Sequence, residues 1–348
     1  MSLKGISLFA GAGGMDVGFK QAGIQVTVAN ELDRFACETY KANHPESKML
    51  EGDLNQHYNY FDTQKERIDV IFGGPPCQGF SVAGRMDPND PRSKLVFSFI
   101  DVVEQVQPKA FVMENVKALG KLEKFSFVRD KLRARSQELS YNTYEFILNA
   151  KDFGVPQSRE RFFFIGLHKD YEPLTYQDFE KFHKSPQSLR EAISHLGRPG
   201  NPKNPNITKA KITFAARPVM RKSPYAGMLF NGQGRPLNSD SWCSTLPASM
   251  GGNRTPIVDE DQLYKGKDSW IETYHSDLIS GKVEPEYGEA PKRLRRLTIN
   301  EAAIIQTFPS NYSFKGPSSK IFSQIGNAVP CKLAEVVATV VANKIKQK

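Results

Sequence analysis

A cysteine that could act as a nucleophile follows two prolines at the end of an apolar run. Cys77 lies within residues 73–81, directly after the strand-like residues 68–72. A free thiol has a pKa near ~8.5, so a catalytic cysteine needs a partner or a local field that yields the thiolate. Pro75 and Pro76 fix two φ angles and remove two backbone donors, which leaves carbonyl groups free to bind a substrate. The run predicts a stiff loop that positions a nucleophile, and the alternative is an inert cysteine in a proline-capped turn.

A glycine-rich turn near the N-terminus could bring a nucleoside close to backbone amides. Residues 3–8 read as a strand, a short helix begins near residue 15, and the turn between them contains three glycines: Gly11, Gly13 and Gly14. Glu31 ends the next apolar run, where a carboxylate can accept a ribose hydroxyl, and Asp53 ends a third unit, where it could accept from an adenine amino group. Asp16 stands where a dinucleotide-binding motif has its third glycine. A nicotinamide cofactor is therefore disfavoured, while a purely structural turn stays open.

Seven short blocks occur in an order that is highly specific as a set. In chain order they are Phe9 with Gly11, Gly13 and Gly14; Glu31 with Asp53; residues 74–78; 114–116; 157–161; 296–301; and 324–330. These blocks resemble the motifs of the cytosine-C5 DNA methyltransferase family, and the resemblance covers most of the chain. It implies methyl transfer from S-adenosylmethionine to carbon 5 of a cytosine in double-stranded DNA.

The chemistry of that reaction explains the residue types. Carbon 5 of cytosine becomes enamine-like only after a nucleophile adds at carbon 6, so the enzyme needs a thiolate on one face and an acid at nitrogen 3. The resemblance assigns these roles to Cys77 and Glu114. It also implies that the Pro75 carbonyl holds the exocyclic amine and that Arg161 holds the ring oxygen. Arg159, grouped with the catalytic residues, is expected to be a structural or phosphate contact.

The resemblance also implies the residues that contact the cofactor and the substrate. The cofactor contacts are Phe9, Gly11, Gly13, Gly14, Glu31, Leu32, Asp53, Leu54, Pro76, Leu95, Asn327 and Val329. The substrate contacts in the nucleophile loop are Pro75, Gln78 and Ser81. No metal is expected, because the four cysteines, at positions 37, 77, 243 and 331, form no C-x-x-C pair.

Apolar runs alternate with helical stretches over the first half of the chain. Strand-like runs occur at residues 6–9, 26–29, 68–72, 110–113, 144–149 and 161–167, and residues 95–106 show helical apolar spacing. This rhythm predicts an α/β fold with a doubly wound, mostly parallel, Rossmann-like sheet whose ligands lie at the carboxyl ends of the strands. We expect a discontinuous catalytic domain of residues 1–187 and 319–348, because the last block and an apolar helix after Pro330 should return to it.

The rhythm breaks down beyond about residue 186. Residues 197–291 are rich in Pro, Gly, Asn and Ser, and residues 188–318 are predicted to form a smaller, irregular target-recognition domain. Residues 242–246 resemble the Thr-Leu element of such domains. Candidate base readers are Arg221, Arg235, Asn253 and Arg254, because Arg can bind guanine bidentately and Asn adenine; the alternative is that they are turn residues.

The charge balance suits a polyanionic partner. The chain of 348 residues carries 47 Lys and Arg against 38 Asp and Glu, a net charge of +9. Two basic clusters are expected to meet phosphates: Lys292, Arg293, Arg295 and Arg296, and Arg217, Arg221 and Lys222. We expect a monomer in the cytoplasm that binds double-stranded DNA, has no membrane span, and works beside a cognate restriction endonuclease or as an orphan or phage-borne methylase.

Three other functions can be weighed against this interpretation. An amino-group methyltransferase would have Asp or Asn before the two prolines, where Gly74 stands. A tRNA-directed relative usually adds a Cys-Phe-Thr tripeptide, which the chain lacks. A non-catalytic homologue would have lost one of Cys77, Glu114 or Arg161, and all three are present.

Overall fold

The structure is an α/β fold, as the sequence predicts, and its central sheet has seven strands. The computed structural model describes residues 2–76 and 94–347. The strands are β1 Leu3–Leu8, β2 Ile24–Glu31, β3 Lys48–Glu51, β4 Val70–Gly73, β5 Ala110–Val116, β6 Tyr141–Asn149, β7 Gln157–Ser158, β8 Glu160–His168, β9 Cys243–Ser244, β10 Ile257–Asp259 and β11 Leu294–Arg296. The helices are α1 Gly14–Gln21, α2 Arg34–Asn43, α3 Tyr58–Asp62, α4 Leu95–Val106, α5 Lys117–Lys121, α6 Ser126–Glu138, α7 Tyr176–Glu180, α8 Leu189–Ile193, α9 Glu260–Lys265, α10 Trp270–Ile279, α11 Ile299–Ile305, α12 Ser318–Asn327 and α13 Cys331–Lys346.

The order of the strands places the predicted functional segments at one edge. The sheet has the order β3-β2-β1-β4-β5-β8-β6. The first five strands are parallel, and β8 runs antiparallel between β5 and β6. The edge at which β1, β2, β4, β5 and β6 end is called the carboxyl edge here. The start of β8 lies at the same edge, because β8 is antiparallel to its neighbours.

Alternating side chains of the sheet strands pack into two separate hydrophobic cores, one on each face. Val70 and Phe72 join a cluster with the buried sides of α1 and α13, whereas Ile71 joins a cluster with α4 and α6. A strand with a side-chain period of two can be apolar at every position only when helices cover both faces. The packing therefore explains why the strand runs read as continuously apolar, and it confirms the doubly wound arrangement.

The final helix packs against the first one. Gly18 of α1 lies so close to α13 that a Cβ there would come within 2.5 Å of the Cys331 carbonyl oxygen. The segment Ser318–Lys346 is apolar enough to resemble a membrane span, with mean hydropathy 1.4, but 72% of that window is buried inside the protein. Its apolar character is explained by packing against α1 and the sheet.

The later part of the chain contributes two further clusters. One combines α8, α9, α11 and α12 with Val17 of α1 and Cys331 of α13. The other is small and aromatic, with Phe214, Phe230 and Tyr274 among its members. Residues 211–214 form only single bridges, from Thr213 to Glu289 and from Phe214 to Phe230.

Candidate active site

Glu114 and Arg161 meet at the carboxyl edge of the sheet. Glu114 lies near the end of β5, and Arg161 lies at the start of β8, paired with Val116 across the ladder. Arg161 Nε donates to Glu114 Oε1 over 2.8 Å, and both side chains are largely shielded from solvent. Burial raises the pKa of the Glu114 carboxyl, and the charges of Arg161 and Arg159 oppose that rise. The carboxyl is thus held nearer to protonation than an exposed glutamate.

The backbone before the predicted nucleophile lies against this carboxyl. A Cβ at Gly74 would come within 2.9 Å of Glu114 Oε2, so only glycine permits this approach. Asn115, buried beside Glu114, donates from Nδ2 to the Pro75 carbonyl oxygen over 3.1 Å. Asn115 Oδ1 in turn accepts from the Val116 amide at 2.9 Å. The end of β5 therefore holds both the carboxyl and the loop that leads to Cys77.

Three predicted residues lie outside the part of the chain that the structure describes: Cys77, Gln78 and Ser81. Pro75 is buried and Pro76 is half-buried, and both lie at the carboxyl edge directly after β4. The Pro75 carbonyl already accepts one hydrogen bond from Asn115. A carbonyl oxygen has two lone pairs, so one remains for a second donor.

Glu31 joins the two loops that follow β1 and β2. Its Oε2 accepts from the Gly11 amide over 2.7 Å, and its Oε1 accepts from the Leu32 and Asp33 amides, both at 2.8 Å. Phe9 has φ of 52°, a left-handed conformation that is uncommon for an aromatic residue and typical of functional loops. Among the residues that the structure describes, a Cβ at Gly11 would meet nothing within 4 Å. The open space beside Gly11 and Glu31 can receive a ligand.

The other glycines of the loop are needed for packing. A Cβ at Gly13 would lie 2.6 Å from His44 Nε2, and one at Gly14 would lie 3.0 Å from the Val329 carbonyl oxygen. Val329 is buried, whereas Asn327 at the end of α12 is exposed. The loop thus touches the last motif of the chain, which is 315 residues away in sequence from Gly14.

The remaining predicted cofactor residues differ in exposure. Leu32 is 71% exposed next to Glu31, which is unusual for a leucine, and Asp53 is exposed after β3. The Leu54 side chain is buried in the core beneath α4, so only its backbone is available to a ligand. Leu95 is half-buried as the first residue of α4.

Arg159 is a buried clamp between three segments of the chain. It is 1% exposed, and it donates to the Leu246 carbonyl over 2.9 Å and to the Gly326 carbonyl over 2.7 Å. A phosphate could not reach a side chain in this position. Of the two expected roles for Arg159, the structure supports the structural one, and grouping it with the catalytic residues is therefore corrected.

A network of buried amides surrounds that clamp and was not foreseen in the sequence. Gln157 Oε1 accepts from the Leu246 amide at 2.9 Å, and Gln157 Nε2 donates to Gln306 Oε1 over 2.8 Å. Gln306 Nε2 reaches the Ile325 and Ala328 carbonyls over 2.6 and 3.0 Å. Gln157 was visible as part of a motif, but nothing local to Gln306 indicates that its side chain is buried.

The four candidate base readers are all exposed, on loops that contact one another. Arg235 and Gly227 are neighbours, since a Cβ at Gly227 would lie 2.7 Å from Arg235 Cγ. The Gly234 amide donates to the Asn253 carbonyl at 3.1 Å, which joins the loop of Arg235 to that of Asn253 and Arg254. The backbone carbonyl oxygen of Arg221 lies 2.7 Å from His275 Nε2. The loop of Arg235 therefore contacts both Gly227 and the loop of Asn253 and Arg254.

The predicted phosphate cluster at residues 292–296 is wrong for three of its four members. Arg293 pairs with Asp259 at 2.7 Å, and Arg295 pairs with Glu301 at 2.7 Å. Arg296 is 1% exposed, donates to the Thr255 carbonyl over 2.8 Å, and has a pKa lowered to about 10 by burial. These arginines hold the fold together, because their partners come from distant segments that the local sequence does not reveal. Lys292 is exposed, as are Arg217, Arg221 and Lys222.

Within the described residues no group of three or more His, Cys, Asp or Glu side chains could hold a metal ion. The three described cysteines, Cys37, Cys243 and Cys331, are buried and free. Burial raises the pKa of the Cys37 and Cys243 thiols to about 12 and that of Cys331 still further. None of these three is a reactive thiolate at neutral pH.

Comparison with known proteins supports one interpretation of this geometry. Residues 3–343 match the family model described as C-5 cytosine-specific DNA methylase. The chain is 33% identical to the Type II methyltransferase M1.HphI of Haemophilus parahaemolyticus, over 98% of this chain and 87% of that protein. It is 32% identical to the Type II methyltransferase M.FnuDI of Fusobacterium nucleatum, over 99% and 96%.

The fold has solved counterparts. A structure of a protein described as a DNA modification methyltransferase encoded within an E. coli prophage matches with a TM-score of 0.70, at 24% identity, over 99% of this chain and 100% of that one. At this identity the likeness shows the fold alone. The family model and the relatives with at least 30% identity over nearly the whole chain decide membership. The chain belongs to the C-5 cytosine-specific DNA methylase family.

Proposed function

We propose that the protein methylates carbon 5 of a cytosine rotated out of a short specific sequence in double-stranded DNA, through a covalent adduct between Cys77 and carbon 6. Because the chain belongs to this family, its general activity is S-adenosylmethionine-dependent methylation of cytosine carbon 5 in DNA. The assignments of individual residues and the order of bond changes are our proposal. Relatives named as Type II methyltransferases support a role as the modification half of a restriction-modification system.

The observation that carries the proposal is the buried carboxyl of Glu114 beside the backbone of Gly74. Burial raises the pKa of this carboxyl, which makes it easier to protonate than an exposed one, as a general acid requires. Its contact with the residue that begins the Gly74-Pro75-Pro76-Cys77 run supports an acid and a nucleophile that act on one ring. Arg161, which restrains the carboxyl at 2.8 Å, retains further donors for the ring oxygen.

The residues at the ends of β1 and β2 fit the cofactor. S-Adenosylmethionine supplies an electrophilic methyl group when bound. The open space at Gly11 and the Glu31 carboxylate suit a ribose, and the exposed Leu32 side chain offers an apolar surface to an adenine ring. Asp53, exposed after β3, is assigned to the adenine amino group. Phe9, Leu95, Asn327 and Val329 are proposed to complete the site.

The proposed reaction balances without a further co-reactant. The Cys77 thiolate adds to carbon 6, and Glu114 delivers a proton to nitrogen 3 as charge reaches the ring. Carbon 5 then takes the methyl group, and S-adenosylhomocysteine is released as the leaving group. A base removes the proton from carbon 5, and that electron pair re-forms the double bond between carbons 5 and 6. Cys77 departs as the thiolate, and nitrogen 3 returns its proton to Glu114. The Pro75 carbonyl, held by Asn115 at 3.1 Å, is proposed to accept a hydrogen bond from the exocyclic amine.

The target carbon cannot be reached inside a duplex, so the cytosine must leave the stack at a cost of a few kcal/mol. We infer that the exposed basic loops around Arg221, Arg235 and Arg254 contribute contacts that offset this cost. We further propose that the enzyme acts as a monomer in the cytoplasm, where bacterial DNA is accessible.

A mechanism-based trap tests the proposal. If release requires loss of the proton at carbon 5, fluorine at that position blocks release after methyl transfer. We expect a denaturation-resistant complex with a duplex that carries 5-fluorocytosine at the target, dependent on S-adenosylmethionine, and none with Cys77→Ala. The target is first found by mapping 5-methylcytosine in DNA exposed to the enzyme.

The control is Cys331→Ala, which removes a buried thiol outside the proposed mechanism and should trap as the parent does. An adduct mapped to Cys37, Cys243 or Cys331 would overturn the assignment of Cys77. Efficient turnover on the fluorinated duplex, with no adduct, would overturn the addition mechanism itself.

A further inference from the structure

A lysine and a tryptophan from distant parts of the chain meet beside the proposed active site. Lys151 Nζ lies 4.9 Å from the centroid of the Trp242 ring, and the Trp242 side chain is 42% exposed. Nearby carboxylates are paired elsewhere, Glu160 with Lys117 at 2.7 Å and Asp240 with Arg190 at 2.6 Å. Lys151 has no carboxylate partner among the residues that the structure describes.

The register of the sheet fixes where this pair lies. Val116 of β5 is opposite Arg161 of β8, and Asn149 of β6 is opposite Glu160, so all four lie at the carboxyl edge. Neighbouring strands are about 4.8 Å apart, which puts the end of β6 about 10 Å from the end of β5. Lys151 follows β6 by two residues and is therefore roughly 10–15 Å from the strand that carries Glu114.

The position of Trp242 is fixed by the strand that follows it. Cys243 pairs with Gln157, and its amide donates to the Pro156 carbonyl over 3.0 Å. On the other side, the Ser241 carbonyl accepts from the Leu189 amide at 2.9 Å. The exposed ring is thus held on a firmly anchored segment. A flexible surface tryptophan would have neither restraint.

We propose that Lys151 and Trp242 form a contact for the sugar–phosphate backbone of DNA, three to four base pairs from the methylated cytosine. The spacing follows because one strand of B-DNA advances about 3.4 Å per phosphate, so 10–15 Å spans roughly that number of steps. The ammonium group pairs with a phosphate, and the indole packs against the adjacent deoxyribose. The contact rests on the proposed function, and it is independent of sequence because neither group reads a base edge.

A lysine that packs on an aromatic ring can also be a local structural contact. The two roles differ in what they require of the DNA. A backbone contact is lost when the duplex ends before it, whereas a structural contact is indifferent to duplex length.

The test measures DNA affinity of Lys151→Ala and Trp242→Ala as a function of salt, on duplexes of three lengths. One duplex extends about ten base pairs on both sides of the target, and each of the others ends about two base pairs from it on one side. Lys48→Ala is the matched control, because Lys48 Nζ lies 4.1 Å from the Tyr60 ring centroid and belongs to the start of β3, away from the carboxyl edge.

On the long duplex we expect Lys151→Ala to make the slope of log K against log salt less steep by about one unit. The parent's higher affinity for DNA, relative to the variant, should therefore shrink roughly 3.5-fold between about 50 and about 200 mM salt. Trp242→Ala should weaken binding with little change in slope. Both losses should vanish on one of the two truncated duplexes, and cofactor affinity should be unchanged. Lys48→Ala should behave as the parent throughout.

Two results would overturn the proposal: Lys151→Ala binding the long duplex as Lys48→Ala does, or a loss of the same size on all three duplexes. If Trp242→Ala fails to fold, Lys151→Ala decides alone, since the half-buried Lys151 side chain packs on the Trp242 ring and pairs with no carboxylate among the described residues. Absence of methylation by the parent would instead contradict the proposed function, so the two failures are distinguishable.

Discussion

Glu114 combines two features that are seldom found together, a buried carboxyl and an arginine partner at 2.8 Å. Burial raises its pKa while Arg161 lowers it, and burial has the larger effect. The arginine therefore orients the carboxyl, while its pKa stays above the usual value. Its other neighbour is Gly74, the residue at which the nucleophile loop begins.

Glu114→Gln tests this balance. Glutamine keeps the size and can donate a hydrogen bond to nitrogen 3, but it cannot release a proton as the thiolate adds. We expect methyl transfer in a single turnover to slow by about 10²-fold or more, within the range of general acid catalysis, with cofactor affinity little changed. The control is Glu104→Gln, which breaks the surface ion pair between Glu104 of α4 and Arg135 of α6 and should leave the rate of methyl transfer unchanged. Turnover within a few-fold of the parent would remove the acid assignment.

The first helix begins directly after the glycine turn of the proposed cofactor site, and two buried titratable groups lie near its start. Asp16 Oδ1 accepts from Tyr40 Oη over 2.8 Å, Oδ2 accepts from Ser7 Oγ over 3.1 Å, and burial raises the Asp16 pKa to about 7. His44 Nε2 lies 2.9 Å from Tyr312 Oη, and burial lowers the His44 pKa to about 4. Both side chains are therefore neutral in the folded protein between about pH 4 and about pH 7.

The two groups affect stability in opposite directions over the same pH range. Folded Asp16 keeps a proton that the unfolded chain loses near pH 3.8, so its contribution to the free energy of unfolding falls as pH rises toward about 7. Folded His44 excludes a proton that the unfolded chain binds below about pH 6.5, so its contribution rises with pH from about 4 to 6.5. Between about pH 4 and 6.5 the two slopes cancel.

Single substitutions should expose each slope. Relative to the parent, the free energy of unfolding of Asp16→Asn should rise with pH by about 1.4 kcal/mol per unit between about pH 4.5 and 6.5. That of His44→Gln should fall by a similar amount, and the double variant should run parallel to the parent. Denaturant unfolding at several pH values measures all four proteins. Parallel curves for all of them would show that neither group changes protonation on folding.

The whole molecule is organised around contacts between segments far apart in sequence. The cluster that includes α8, α11 and α12 also contains Val17 of α1 and Cys331 of α13, so part of residues 188–318 packs with the catalytic core. The small aromatic cluster around Phe214, Phe230 and Tyr274 has its own core. The recognition domain was expected at residues 188–318. We propose that only the segments around this second cluster form a separate unit.

The exposed loops of that part predict where sequence specificity resides. Arg235→Ala or Arg254→Ala should lower the preference for the target sequence over a duplex with one base changed, by about 1–3 kcal/mol if the arginine reads a base. A phosphate contact would instead weaken all sequences alike and lower the salt slope by about one unit. Cofactor affinity should not change in either case.

The control for this measurement is Arg67→Ala, an exposed arginine before β4 at the edge opposite the carboxyl edge. It should leave binding and site preference unaltered. If Arg235→Ala and Arg254→Ala also left both unchanged, neither residue would be a reader.

The sequence by itself determined the features that depend on local patterns. Apolar runs with flanking helices predicted the strands and the doubly wound sheet, because a strand buried on both faces must be apolar throughout. The order of the motifs predicted the family, and the residues of the nucleophile loop, Glu114 and Arg161 were named from those motifs. Their roles remain predictions that the experiments above would test.

Only the tertiary structure decided which charged side chains are buried and what they contact. Arg159 and Arg161 are two residues apart, yet the first clamps the carbonyls of Leu246 and Gly326 while the second pairs with Glu114. Arg293 and Arg295 were expected to contact phosphates, but they pair with the carboxylates of Asp259 and Glu301. The physical reason is common to these cases: the energy of a buried charge depends on neighbours that the chain brings from distant positions, which local sequence does not encode.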